Sequence, residues 1–330
     1  MARPRNNLVD YLTCLGVRLV AMLFGIFPID VNLRTARWMG WVWYKVMRRH
    51  RERAREHLRL AFGPSLSDKD LAELTLKSMQ QMTMMAVEEL FVPRLITEWS
   101  WPRYITLKNV RQAMDVLIRP RGVILVTGHY GNWELVGFTL ATLGFPLTAV
   151  MRPLDNPYLN RFLMDVRAKR GLKLLYKKGA SASAADVLRG GGVLGFIADQ
   201  NAGHKGLFVD FFGVKASTYK SIGLLAMAHD VPIVVGCARR TSKRFRYEID
   251  CNRVIRPEEW KDKPDPLMWI TQEYTSAIER LIRVAPEQYL WIHRRWKSRP
   301  KDEGPVTRSM AAGAPGEENE EGELTDVAFG

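Results

Sequence analysis

Gly122-Val-Ile-Leu-Val-Thr-Gly-His-Tyr-Gly-Asn-Trp-Glu134 joins an apolar, β-branched run to two glycines and then to residues that open a helix. A short apolar run closed by glycine reads as a strand buried on both faces. Asn132 stands where an N-cap is needed, because its side-chain oxygen can accept from an otherwise unpartnered amide of the first turn. The stretch therefore predicts strand, turn and helix. Working outward, further strands are expected at 146–150, 172–176, 192–197 and 231–235, and helices near 133–143, 157–169, 181–189 and 219–229. Such alternation implies an α/β fold, a largely parallel or mixed central sheet flanked by helices. The alternating run 245–250 predicts one more, half-exposed strand, and 265–284 a late helix. Gly190-Gly-Gly192 leads into a strand and not a helix, so it is a turn and not a phosphate loop; no G-x-G-x-x-G or Walker pattern occurs.

Residues 1–100 read as helical and membrane-associating, 101–300 as the α/β domain, and 301–330 as a disordered acidic tail. The segment 8–29 is apolar apart from Asp10, Arg18 and small polar residues, but it lacks the small-residue cleavage pattern of a secretory signal. As a membrane span it would carry Arg18 near its centre, at about 2.5–3.5 kcal/mol. An interfacial helix avoids most of that cost. Trp38, Trp41, Trp43 and Tyr44, followed by the basic run 48–55, suit the headgroup boundary of an anionic membrane; the alternative is a basic, solvated helix whose tryptophans enter the core. Ser67 begins a capping-box pattern, and Met79, Met82, Met84 and Met85 at helical spacing read as core filling.

The 330 residues, 47% hydrophobic, suffice for a sizeable core. Net charge is +14, and the six acids of 317–326 set aside, the rest carries +20. Such an excess attracts polyanions of several kinds and does not choose among them. Three scattered cysteines indicate neither a disulfide framework nor a zinc site.

His129 follows a strand at the end where ligands bind in open α/β sheets. A neutral imidazole there can take the proton of an attacking hydroxyl. A carboxylate on the other ring nitrogen would set its tautomer and steady the cation. Glu134 is the candidate partner, brought back by the turn through Gly131; the competing reading has His129 capping a turn and Glu134 favouring the helix dipole. Asp199 and Gln200 also follow an apolar strand and so face the same cleft, unless Asp199 merely caps its loop. His50, His57, His204 and His229 have no comparable setting.

Five stretches carry a resemblance: Gly128-His-Tyr-Gly-Asn-Trp-Glu134, Met151-Arg-Pro-Leu-Asp-Asn-Pro157, Ile197-Ala-Asp-Gln200, Val209-Asp-Phe-Phe-Gly213 and Pro286-Glu-Gln-Tyr-Leu-Trp-Ile-His-Arg-Arg-Trp-Lys297. In this order, across roughly residues 35–300, they resemble the late lipid A acyltransferases of the lysophospholipid acyltransferase superfamily. The resemblance implies transfer of a fatty acyl chain from an acyl thioester to a glycolipid hydroxyl. It also implies the cytoplasmic face of the bacterial inner membrane, reached through a single-pass or interfacial N-terminal region. His129 then corresponds to the base and Glu134 to its partner. Arg152, Asn156 and Arg167 are implied as substrate-binding, with Asp199 orienting Arg152 or binding the acceptor, and Arg294 and Arg295 meeting a phosphate or an acidic carrier. The donor is acyl carrier protein or coenzyme A thioester, and no cofactor is expected, since a thioester already carries an activated carbonyl. A second enzymatic reading keeps the chemistry and changes the acceptor to another phospholipid or glycolipid. The non-enzymatic reading is a basic membrane- or nucleic-acid-binding protein. Nucleic acid is not expected as a partner, because aromatic and basic residues concentrate in the N-terminal helices.

Overall fold

A computed structural model describes residues 7–151, 153–168, 172–176 and 180–301, the side chains of 166–168, 180 and 181 excepted. The helical N-terminal part comprises α1 (Asn7–Ile26), α2 (Ile29–Val46), α3 (Arg48–Phe62), α4 (Asp68–Glu89) and the single turn α5 (Val92–Leu95). Ser67 caps α4 as its sequence predicts: its hydroxyl accepts from the Asp70 amide while the Asp70 carboxylate accepts from the Ser67 amide. Met79, Met84 and Met85 are buried, the core role expected of them.

The rest alternates. In chain order it runs β1 (Ile105–Lys108), α6 (Arg111–Leu117), β2 (Val123–Thr127), α7 (Trp133–Thr142), β3 (Leu147–Met151), α8 (Pro157–Ala168), β4 (Lys173–Tyr176), α9 (Ala180–Arg189) and β5 (Val193–Ile197). It continues with β6 (Leu207–Phe211), β7 (Val214–Thr218), α10 (Ser221–His229), β8 (Ile233–Arg240), β9 (Tyr247–Ile255) and α11 (Pro266–Val284). Seven strands form one sheet in the order β1-β9-β8-β2-β5-β3-β4, parallel throughout except that β8 and β9 run antiparallel. This is the mixed sheet flanked by helices that the alternation implies.

β2 lies in the middle and is buried along its whole length. Ile124 and Val126 enter one core with Leu58, Leu194, Ile278 and Trp291. Val123 and Leu125 enter a second with Leu33, Phe91, Leu135 and Tyr247. Strand alternation sends successive side chains to opposite faces, and each face is covered by helices from both halves of the chain. Helix α6 was not among the expected elements, and two further features escaped the periodicity. β1 is only four residues long and gains its pairing from β9, far along the chain. The β6–β7 hairpin turns through Phe212 and Gly213, both at positive φ, a two-residue geometry that twists in the same sense as its strands.

Candidate active site

The site begins where β2 and β5 end together. Their parallel register pairs Thr127 with Ile197, and the Ala198 amide donates to the Thr127 carbonyl at 2.9 Å. The next residues of the two strands, Gly128-His129 and Asp199-Gln200, therefore emerge side by side. The His129 amide donates to Asp199 Oδ2 at 2.8 Å, and its ring Nδ1 lies 2.7 Å from Oδ1. Both residues are 2% exposed. Nδ1 holds its proton toward the carboxylate, which leaves the lone pair on Nε2, where the Gln200 carboxamide nitrogen stands at 3.4 Å. Burial alone would push the Asp199 carboxyl up. Electrostatic attraction to the adjoining His129 and the two hydrogen bonds received from it outweigh that and hold the group lowered to about 2. The imidazole also meets Trp133 edge-on, with centroids 4.9 Å apart, and stacks near His293 at 6.4 Å.

The loop carrying His129 is clamped on three sides. Gly131 sits at φ 64°, and a Cβ there would fall 2.0 Å from the Ala238 carbonyl oxygen, so the position requires glycine. Its amide donates to Gln288 O, while the Asn132 amide donates to Ala238 O and the Leu290 amide to His129 O. Asn132 caps α7 as expected, accepting from Leu135, and its Nδ2 donates to Glu88 Oε2 at 3.0 Å. Glu88, from α4, is fully buried and pairs with Arg240 at 2.6 Å; Arg240 in turn donates to Gln81, and Tyr247 donates to Glu88. A desolvated ion pair of this kind survives because neighbours satisfy its remaining atoms. It ties α4 and the end of β8 to the helix cap beside His129.

Comparison with known proteins places the chain in a family. Residues 3–298 match the family model described as bacterial lipid A biosynthesis acyltransferase. The chain belongs to that family. It is 26% identical over 298 residues to the lipid A biosynthesis lauroyltransferase of Escherichia coli K12, covering 88% of this chain and 93% of that one. It is also 26% identical over 265 residues to the lipid A biosynthesis palmitoleoyltransferase of the same organism, covering 78% and 82%. A lipid A biosynthesis acyltransferase of Haemophilus influenzae is 24% identical over 284 residues, covering 84% and 88%. Membership makes the protein an O-acyltransferase, as the motif order had implied.

The residues quoted for the family resemblance separate in space. His129, Asp199 and Gln200 meet. The carboxylate on Nδ1 is that of Asp199, where the sequence reading had put Glu134; Glu134 lies in the first turn of α7, half-buried. The reason is the register of neighbouring strands, which sets residue 199 directly beside residue 129. Arg295 is 1% exposed, and its guanidinium donates to Gln200 O, Ser217 O and Thr218 Oγ1. It thus holds the Gln200 loop against β7. Arg294 beside it is half-buried. Asn156 accepts from the Tyr158 and Leu159 amides at the start of α8 and donates to Asp10 O in α1. Arg152 lies outside the described residues, as does the side chain of Arg167.

His293 carried no role of its own in the sequence reading. Its Nε2 accepts from the Asn201 amide at 3.3 Å, and burial first, then the neighbouring His129, lower its pKa to about 4. It is therefore a neutral ring packed next to the reactive one. Only its place in the Pro286–Lys297 stretch could have pointed to it. Among the described residues, no group of three or more His, Cys, Asp or Glu is placed to hold a metal ion. A cavity of about 440 Å³ beside Phe208, Lys263 and Trp269 is lined by none of the site residues.

Proposed function

We propose that this protein transfers a fatty acyl chain from acyl carrier protein thioester to a hydroxyl of a lipid A precursor, with Nε2 of His129 as general base. The observation that carries the mechanism is the pair of contacts by which one buried carboxylate holds both the backbone and the ring of His129. With Nδ1 committed to Asp199, Nε2 can accept the proton of the acceptor hydroxyl as its oxygen attacks the thioester carbon. The carbon–sulfur bond then breaks, and the imidazolium returns the proton to the departing sulfur. The products are an ester and a free thiol, with no net proton change.

Asp199 is the positioning residue for the ring, and Gln200 the neutral group nearest Nε2. Glu134 is proposed as a second carboxylate of the site, acting from the first turn of α7 on the acceptor or on the base. Arg152 and Arg167 are assigned from sequence to an acceptor phosphate, Arg294 to the same phosphate or to the acidic carrier. The family match and the named relatives support the lipid A precursor as acceptor, and the apolar helix α1 supports a membrane as the place of reaction, which we assign to the cytoplasmic face of the inner membrane. Purified protein supplied with acyl carrier protein thioester and a phosphorylated glycolipid should release thiol in step with ester formed. His129→Ala turning over at the wild-type rate would sink the mechanism. Faster transfer from coenzyme A thioester, or onto a lysophospholipid, would overturn the donor or the acceptor while leaving the chemistry intact.

A further inference from the structure

Helix α1 is long and apolar enough, by length and composition, to cross a membrane, yet its contacts are not those of a helix that leaves the domain. At 1.5 Å per residue its 20 residues extend about 30 Å. A crossing helix would touch the domain at one end only. α1 touches the rest of the protein at points from its first turns to its last. In its first turns the Asp10 carbonyl accepts from Asn156, and Tyr11 meets Tyr158 edge-on with centroids 5.5 Å apart. Midway, Arg18 lies over the Phe162 ring at 6.0 Å. At its end Phe24 packs into the second core, and Asn32 of α2 donates to the carbonyls of Phe24 and Phe27.

The two faces of α1 differ accordingly. Asp10, Cys14, Ala21 and Phe24 are the better-buried positions, and they fall on one side of the helix at spacings of three, four and seven residues. On the opposite side Leu8, Leu12, Leu15, Leu19, Leu23 and Ile26 form a continuous stripe, each between 41% and 71% exposed. Exposed leucine stripes of this size mark an interaction surface. The surroundings specify the partner. Tyr11 and Tyr158 flank one end. At the other, the exposed turn carrying Lys243, Arg244 and Arg246 is held beside the start of α2 by the Phe245 amide on Asp30 and by Arg37 on the Lys243 carbonyl. Apolar stripe, aromatic flank and cationic turn together match the boundary between acyl chains and anionic headgroups.

We propose that α1 is an in-plane anchor. It lies flat in the interface of an anionic bilayer, leucine stripe toward the acyl chains and opposite seam on α8, without crossing. Arg18, on the flank of the helix, then stays at headgroup level and never enters the hydrocarbon centre. The test uses full-length protein in vesicles of phosphatidylethanolamine and phosphatidylglycerol, with Cys14, Cys237 and Cys251 replaced. Spin labels placed singly through Leu8→Cys, Leu15→Cys and Leu23→Cys should report the same shallow depth by relaxation with oxygen and a water-soluble nickel chelate. A depth maximum at 15, with 8 reached only from the face opposite the catalytic domain, would overturn the proposal, as would three fully water-exposed labels. In a second measurement, Tyr11→Cys with Tyr158→Cys, in the chain lacking the three native cysteines, should be joined in native membranes by a short bis-maleimide that spans the space of the two rings. Absence of that cross-link, with both thiols reactive, would also refute the flat placement.

Discussion

Asp199→Asn removes the charge opposite His129 and keeps the shape. In the native protein both carboxylate oxygens accept from His129, at 2.8 and 2.7 Å, inside a site 2% exposed. Holding that carboxyl at about 2, against the 3.8 of an unperturbed one, corresponds to roughly 2 kcal/mol in favour of its ionised form. Losing that much from the pair formed as His129 takes up a proton would slow turnover on the order of 30-fold. The amide adds a second penalty. Its NH2 group cannot accept from both donors, so the ring is driven to the other tautomer and Nε2 loses its lone pair. The corresponding Asp-to-Asn change in a Ser-His-Asp triad lowers turnover by about 10⁴. We expect kcat to fall between ~30-fold and ~10⁴-fold with little change in KM for either substrate, read as thiol release at saturating donor and acceptor. Thermal melting of the variant checks that it is folded. A folded Asp199→Asn within threefold of wild-type kcat would refute the assignment of Asp199 as the group that orients the base. A large fall in Glu134→Gln alone would transfer that role to Glu134.

Gly131→Ala should destabilise the fold by at least ~1–3 kcal/mol and abolish transfer, because positive φ and the Ala238 carbonyl both oppose a methyl group there; a melting temperature unchanged from wild type would contradict this. Glu88→Ala leaves Arg240 buried without its carboxylate and should cost about 3–5 kcal/mol in denaturant unfolding, with Glu88→Gln plus Arg240→Met recovering much of it. His57, whose Nδ1 contacts Trp291 O at 2.7 Å, is lowered to about 4 by burial foremost. The unfolded chain binds that proton near pH 6.5 and the folded one near 4, so its contribution is complete above 6.5 and is lost by up to ~3 kcal/mol as pH falls to 4. His57→Asn should flatten the stability curve in that window while His293 still contributes to it; an unchanged slope would show that His57 titrates normally.

Local physics made much of this protein legible before folding was considered. The β-branched run before Gly128 is a strand wherever it is placed, Asn132 and Ser67 can each satisfy a first-turn amide within three residues, and the block order from Gly128 to Lys297 marks the family. These signals act over a few residues of backbone, so no tertiary partner is needed to read them. What lies across 70 residues was not legible in that way. The parallel register of β2 and β5 sets Asp199 on Nδ1 of the imidazole, and the same packing turns Arg295 from a surface cation into a buried clamp on Gln200. Asn156 likewise becomes the cap of α8 and a tie to α1, and the seam between α1 and α8 exists only in the folded chain. Composition sets how apolar a segment is. Which of its faces meets protein depends on neighbours that only the folded chain brings near.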